Sequence, residues 1–167
     1  MKRLYLLRHA KSSPAADFNA DHERPLAPRG VAATERLTRY LHAQGTEPNI
    51  VLCSSSRRTR ETLEGISAGL HGDPELVIDG GLYCASTELL LQRIRRLPDD
   101  IESAMVIGHN PGLHDLAVLL GGRDAGAELS VFPTGALVTI DVGDADWGTL
   151  GEGTCAIADY VVPKELV

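Results

Sequence analysis

The sequence predicts an α/β fold: a three-layer α/β/α sandwich on a mostly parallel central sheet, with an antiparallel hairpin near the C-terminus. Three observations predict it. Apolar runs at residues 2–8, 50–53, 75–78 and 104–107 are too short for helices and apolar enough for buried strands. Amphipathic helical patterns alternate with these runs, the signature of helices covering a parallel sheet. Residues 136–142 then alternate with one polar face, and 154–162 reads as their partner across a Gly- and Asp-rich loop containing Trp147. With 167 residues, no internal repeat and no low-complexity tract, a single domain over 1–167 is expected.

The first strand ends abruptly in Arg8-His9-Ala10-Lys11. A loop follows over residues 12–28, long for a connection and carrying Pro14, Pro25, Pro28, Asp17, Asp21, His22, Glu23 and Arg24. Pro28 suits a helix's first turn. That helix should reach about Ala43, with Ala33, Leu37, Tyr40 and Leu41 on one face, and end at Gly45.

The second strand runs into Ser54-Ser55-Ser56, N-cap candidates for a helix over 57–70 that buries Thr59, Leu63, Ile66 and Leu70. Arg57, Arg58 and Arg60 crowd its start, the wrong sign for the helix dipole, so a bound anion explains them better. After the third strand, Ser86 or Thr87 caps a helix presenting Leu90, Leu91, Ile94 and Leu97, stopped by Pro98. The fourth strand leads to Gly108-His109-Asn110-Pro111-Gly112. Asn110 as N-cap and Pro111 at the first helical position start a helix directly after His109, with Leu113, Leu116, Ala117 and Leu120 buried.

Composition narrows the partners. Charged residues make up 23% and apolar residues 43%, as in a soluble globular protein. Aromatics are only 4%, so aliphatic side chains must fill the core. A net charge of −7 argues against nucleic acid and anionic membranes as partners. Cys53, Cys84 and Cys155 show neither a disulfide framework nor zinc spacing. The six histidines form no HxH or HExxH pattern, so no metal or cofactor is expected. No signal peptide opens the chain, and the cytoplasm is the expected location.

Three strand ends carry matching chemistry: Arg8-His9, Arg58 and His109. In a parallel sheet those ends share one edge, where ligands bind. Two guanidinium forks suit phosphoryl oxygens. One histidine can attack phosphorus while the other donates hydrogen bonds to its oxygens, and such positioning with charge neutralisation is most of what phosphoryl transfer needs.

Leu6-Leu7-Arg8-His9, Ser54-Ser55 followed by Arg58-Thr59-Arg60-Glu61-Thr62, and Gly108-His109-Asn110 resemble, in that order, the histidine phosphatase superfamily. The small size, the Arg-His-Ala-Lys-Ser-Ser opening, Glu23-Arg24-Pro25-Leu26 and Gly108-His109-Asn110-Pro111-Gly112 look most like bacterial phosphohistidine phosphatases of the SixA type. The resemblance covers roughly residues 2–162. It implies a phosphoglycerate mutase-like fold and a metal-independent phosphatase whose nucleophile, at His9, becomes phosphorylated and is then hydrolysed. It implies Arg8 and Arg58 as phosphate-binding arginines and His109 as the second histidine, with Asn110 counted among the phosphate contacts. A one-residue slip in the alignment would put Arg57 in the place of Arg58.

Two departures stand out. The family's usual Arg-His-Gly-Glu opening is Arg8-His9-Ala10-Lys11 here, and Lys11 favours an anionic substrate. The general acid of larger members, after the third strand, has no clear match between Asp79 and Glu88; Asp17, Asp21 and Glu23 are other candidates, each reading singly as surface. Phosphohistidine needs less acid help than an alkyl phosphate, because its imidazole departs readily once protonated. The expected substrate is therefore a phosphorylated protein bearing phosphohistidine. The alternatives are a small-metabolite phosphomonoesterase or mutase, and a non-catalytic binder of a phosphorylated partner. A monomer is the expected state.

Overall fold

Both faces of each inner strand are covered, which is why Leu4, Leu6 and Leu7 are fully buried. The computed structural model describes residues 1–14 and 20–167, so the acid candidate Asp17 lies outside the described residues. The strands are β1 (Lys2–Arg8), β2 (Ile50–Ser54), β3 (Glu75–Asp79), β4 (Ser103–Gly108), β5 (Leu137–Gly143) and β6 (Ala156–Val161). The helices are α1 (Pro28–Ala43), α2 (Arg57–Ile66), α3 (Thr87–Arg95), α4 (Gly112–Gly121) and the single turn α5 (Ala125–Glu128).

The strands form one sheet in the order β3-β2-β4-β1-β5-β6. The first four pair in parallel. β5 runs antiparallel to β1, and β6 antiparallel to β5, which is the expected C-terminal hairpin at the sheet's edge. Successive side chains of a strand point to opposite faces. Leu4, Leu6, Leu52, Ala104 and Val106 meet α3 and α4 through Leu90, Ile94, Leu113 and Leu116. Tyr5, Leu7, Val51, Met105 and Ile107 meet α1 and α2 through Leu37, Leu41, Leu63 and Ile66. Burial on both faces explains the unbroken apolar runs, which no single-faced strand would need.

The register sets the working edge. Arg8 lies opposite Gly108, Cys53 opposite Ile107 and Ser54 opposite Asp79, so four strands deliver their carboxyl ends together. β5 enters from the same edge, with Leu137 opposite Leu7, and brings the segment before it, from Phe132 to Ala136, to the same place.

Some local expectations shift. α2 ends at Ile66 and continues as a 3-10 turn over Ser67–Gly69, leaving Leu70 half-buried. The turn hugs α1: a Cβ on Gly69 would stand 2.4 Å from the Thr38 carbonyl oxygen. α4 begins at Gly112 rather than directly after His109, and Asn110 does not cap it: its Nδ2 donates to the Phe132 carbonyl and its Oδ1 is buried without a partner among the described residues. Trp147 is fully buried, with Nε1 donating to the Ile101 carbonyl at 2.8 Å. Among the described residues no helix is long and apolar enough to cross a membrane.

Candidate active site

His9 is the first residue beyond β1. Its N–H donates to the Gly108 carbonyl of the neighbouring strand at 3.1 Å, and its carbonyl accepts from Gly135 N at 2.9 Å. The ring is 6% exposed. Nδ1 lies 2.8 Å from the Ala10 carbonyl. A carbonyl can only accept, so Nδ1 carries the proton and Nε2 presents its lone pair. Burial pushes the imidazole down to about 3; the Ala10 carbonyl opposes that push, while His109, Arg58 and Arg8 add to it. His9 is therefore neutral near pH 7, as a nucleophile must be.

His109 follows β4, 4% exposed, with its ring centroid 5.3 Å from that of His9. Its Nε2 lies 2.8 Å from Ser54 Oγ, and Arg58 Nη2 approaches its Nδ1 at 3.4 Å. A guanidinium only donates, so Nδ1 accepts and Nε2–H donates to Ser54. Burial, then the Arg58 charge, lowers this imidazole to about 4. A phosphoryl group bearing negative charge reverses the balance of charge around both rings and favours a protonated, donating His109.

Arg8 and Arg58 flank the histidines. Arg8 Nη1 donates to the Phe132 carbonyl at 3.1 Å. Burial and the Arg58 charge both lower the Arg8 guanidinium. Arg58, second residue of α2 and 4% exposed, is held by Asp21: Nη1 reaches the Asp21 carbonyl at 2.9 Å and Nη2 its carboxylate at 3.0 Å. Nε of Arg8 and Nε of Arg58 are both buried with no hydrogen-bond partner among the described residues. Buried donors normally find acceptors. Two orphaned guanidinium donors beside two neutral imidazoles fit an anion with several oxygens.

The structure thus brings His9, His109, Arg8 and Arg58 together in one cluster at the sheet's edge. Asn110 sits beside them, donating through Nδ2 to the Phe132 carbonyl at 2.8 Å, the same oxygen that holds Arg8. The backbone at the α4 start contributes less than its sequence suggests: Leu113 N–H closes on the His109 carbonyl and Asp115 N–H on Pro111. Arg57 points away, half-exposed, and pairs with Glu61 at 3.0 Å; Arg60 Nε donates to the Ser55 carbonyl at 2.9 Å.

Sequence reasoning passed over several members. Asp21 reads singly as surface, yet its carboxylate joins Arg58, Arg24 and the Tyr83 hydroxyl. That hydroxyl foremost, with the arginines, holds Asp21 down to about 2, against its partial burial. It is ionised at every physiological pH, and so unsuited to give up a proton as general acid. Tyr83 meets the His109 ring edge-on at 5.5 Å. His22 packs edge-on against Tyr83 at 4.8 Å and bonds Ser55 Oγ at 2.9 Å, so it is a rim residue rather than a free surface one. The one available signal was position: Tyr83 follows β3 on the same sheet edge as the other strand-end groups.

The remaining motif residues hold the frame. Thr62 Oγ1 accepts from Ala10 N at 3.0 Å and donates to the Arg58 carbonyl at 2.7 Å, joining the β1 end to α2. Glu61 Oε1 accepts from Leu26 N at 2.8 Å. Arg24 Nη1 ties the long loop back through Ser12 Oγ at 3.1 Å and the Ser13 carbonyl at 2.9 Å. Among the described residues no group of three or more His, Cys, Asp or Glu side chains is placed to hold a metal.

Comparison with known proteins agrees with this geometry. The family model of the histidine phosphatase superfamily (branch 1) matches residues 4–83. An uncharacterized protein of Mycobacterium tuberculosis, Rv1276c, is 32% identical over 166 residues, spanning 95% of this chain and 100% of its own length. Two solved structures provisionally named phosphohistidine phosphatase SixA match with a TM-score of 0.82 and 27% identity. That from Nakamurella multipartitia covers 97% of this chain and 96% of its own; that from Agrobacterium tumefaciens covers 97% and 98%.

Proposed function

The chain belongs to the histidine phosphatase superfamily, and from that premise we propose that it is a metal-independent phosphatase acting through a phosphohistidine on His9, with protein phosphohistidine as its substrate. The observation that carries the reading is the state of His9: Nδ1 fixed on the Ala10 carbonyl at 2.8 Å, the ring neutral, and the lone pair of Nε2 available between two arginines and His109.

The Nε2 lone pair attacks phosphorus. The substrate's imidazole carries a solvent-derived proton on its other ring nitrogen; the bond from phosphorus to it breaks, the electron pair stays on the leaving nitrogen, and neutral imidazole departs. Arg8, Arg58 and His109 hold the phosphoryl oxygens throughout, so the negative charge is met by donors already in place. Water then attacks phospho-His9, the P–N bond returns its pair to Nε2, and orthophosphate leaves.

Asp21 supports the choice of substrate. It is the carboxylate bonded to Arg58 at the pocket, and it is ionised. An alkoxide leaving group needs a protonated enzyme acid at its oxygen near neutral pH, whereas an imidazole protonated by solvent on its other ring nitrogen leaves as a neutral base without one. The SixA name borne by the two structural neighbours points the same way.

The test is phosphate release from a phosphohistidine peptide with chelator present, by the parent and by His9→Ala. Release by the parent alone is expected. Turnover of an aryl phosphate but not of the peptide would discard the substrate, and a His9→Ala variant as active as the parent would discard the nucleophile.

A further inference from the structure

Beside the catalytic pocket lies a second cleft of about 410 Å³, between one face of α1, the Pro133-Thr134 segment and the C-terminal turn Pro163–Glu165. Its rim carries Lys11, Arg29, Arg36 and Lys164, and among the described residues no acidic side chain lines it. Its other lining is mainly apolar, including Ala32, Ala33, Val162 and Pro163. We propose that this cleft docks an acidic peptide segment, bearing an apolar side chain, of the phosphorylated protein partner. The proposal rests on the phosphoprotein reading of the His9 site and extends it to what surrounds the phosphohistidine.

The charge pattern is the first support. The chain is acidic overall, with a net charge of −7. Elsewhere five of its arginines pair with carboxylates: Arg3 with Asp141, Arg24 and Arg58 with Asp21, Arg57 with Glu61, Arg93 with Asp79. The rim side chains of Lys11, Arg29, Arg36 and Lys164 make neither an ion pair nor a hydrogen bond among the described residues. Like charges on one rim repel, and an anionic occupant relieves that repulsion.

The second support is how the cleft is joined to the chemistry. Lys11 is two residues beyond His9, so their Cα atoms lie within about 7 Å, the reach of two peptide units. The Lys11 carbonyl accepts from Ala27 N at 2.9 Å, immediately before α1. α1 sits directly on that backbone: a Cβ on Gly30 would stand 2.1 Å from the Lys11 carbonyl oxygen. On the other wall, Gly135 N–H reaches the carbonyls of Arg8 at 3.1 Å and His9 at 2.9 Å. Gly135 has φ +77°, and a Cβ there would meet Pro163 Cγ, in the cleft floor, at 2.6 Å. Both walls therefore hang on the strand end that carries the nucleophile.

The lining also selects the class of occupant. Among the described residues no aromatic side chain lines the cleft to stack a base, and the protein's net charge opposes a nucleic acid. Inorganic polyphosphate would use the rim and gain nothing from the apolar floor. An acidic segment with one apolar side chain uses both.

The experiment uses the whole protein and a fluorescein-labelled, unphosphorylated peptide of alternating Glu and Leu, with a Gln-for-Glu control, followed by fluorescence anisotropy. The Glu peptide is expected to bind at least tenfold tighter than the Gln peptide, and the double variant Arg29→Glu/Arg36→Glu to lose at least tenfold of that affinity. Lys164→Glu is the second variant if the double one does not fold. Equal binding of the two peptides, unchanged binding by the variants, or tighter binding of tripolyphosphate than of the Glu peptide overturns the proposal. Because no phosphoryl transfer is read, failure of the parent to hydrolyse phosphohistidine would sink the proposed function separately. With phosphohistidine peptides bearing Glu or Gln tails, the parent's KM should differ at least tenfold, and the variant's ratio should collapse toward one. A ratio near one in the parent overturns the link between cleft and site.

Discussion

Arg58 and Asp21 meet twice: one guanidinium nitrogen on the backbone carbonyl at 2.9 Å, the other on the carboxylate at 3.0 Å. Arg58 is a long side chain at the start of a helix, and on its own it would sample many rotamers at a large entropic cost on binding. Asp21, fixed in turn by Arg24 and the Tyr83 hydroxyl, spends that entropy in folding and leaves Arg58 Nε buried and without a partner among the described residues.

Asp21 is accordingly a positioning residue. Asp21→Ala should raise KM about tenfold, equivalent to about 1.4 kcal/mol, with a smaller change in kcat. Asp21→Asn, which keeps the backbone contact and the shape, should recover part of the loss. Inorganic phosphate inhibition should weaken in parallel. An unchanged inhibition constant in Asp21→Ala would show that Arg58 needs no such support.

The adjacent arginines make a sharper comparison. Arg58 is buried in the pocket, while Arg57 is half-exposed and paired with Glu61 one helical turn on. Arg58→Ala should lower kcat/KM at least a hundredfold, in keeping with loss of a preorganised donor to transition-state charge. Arg57→Ala should stay within about threefold, since exposed pairs contribute little. Steady-state kinetics on an aryl phosphate decides it, and the reverse order would mean that the register of α2 at the site is off by one residue.

The four site residues could be found in the sequence because each ends or follows a strand or opens a helix, and strand ends on a parallel sheet converge by construction. Tyr83 shared that signal only in following β3, Asp21 stood only as one of three acid candidates, and the Phe132 carbonyl had none, since no period governs a loop. Asp21 reaches the site through loop contacts made by Arg24, Ser12 and Ser13, which are set by side-chain hydrogen bonds between segments distant in sequence. Phe132 contributes a backbone oxygen, which any residue would supply. Asn110 misled for a related reason: an N-cap candidate is recognised by its neighbours in sequence, but a carbonyl brought in with β5, 22 residues away, takes its Nδ2–H and fixes the side chain with Oδ1 on no helix N–H.

The buried histidines tie stability to pH. Their folded-state values, about 3 for His9 and about 4 for His109, lie below the ordinary 6.5. Between pH 6.5 and 3 the unfolded chain binds more protons than the folded one, so stability is full above 6.5 and falls as pH drops through this window. Asp21, held at about 2 against an ordinary 3.8, adds its own loss only below about pH 4. Thermal midpoints at pH 7.5, 6 and 5 should decline for the parent and decline less for the double variant His9→Gln/His109→Gln. Parallel slopes for the two proteins would mean that neither imidazole is held neutral by burial.

Thr62 is the last test, because it separates holding the frame from doing the chemistry. Its hydroxyl accepts from the buried Ala10 N–H, and the Ala10 carbonyl is what fixes the His9 tautomer. Thr62→Val keeps the shape and strands a buried donor, at a cost of about 1–3 kcal/mol. For a chain of this size that lowers the melting temperature by roughly 2–12 °C. It should also lower kcat, since the Ala10 peptide that orients His9 loses its anchor, whereas Thr62→Ser restores both. Calorimetry and kcat measured on the same samples distinguish the outcomes: stability lost with kcat intact would mean that Ala10 stays in place without Thr62, and that β1 and β4 alone hold the nucleophile.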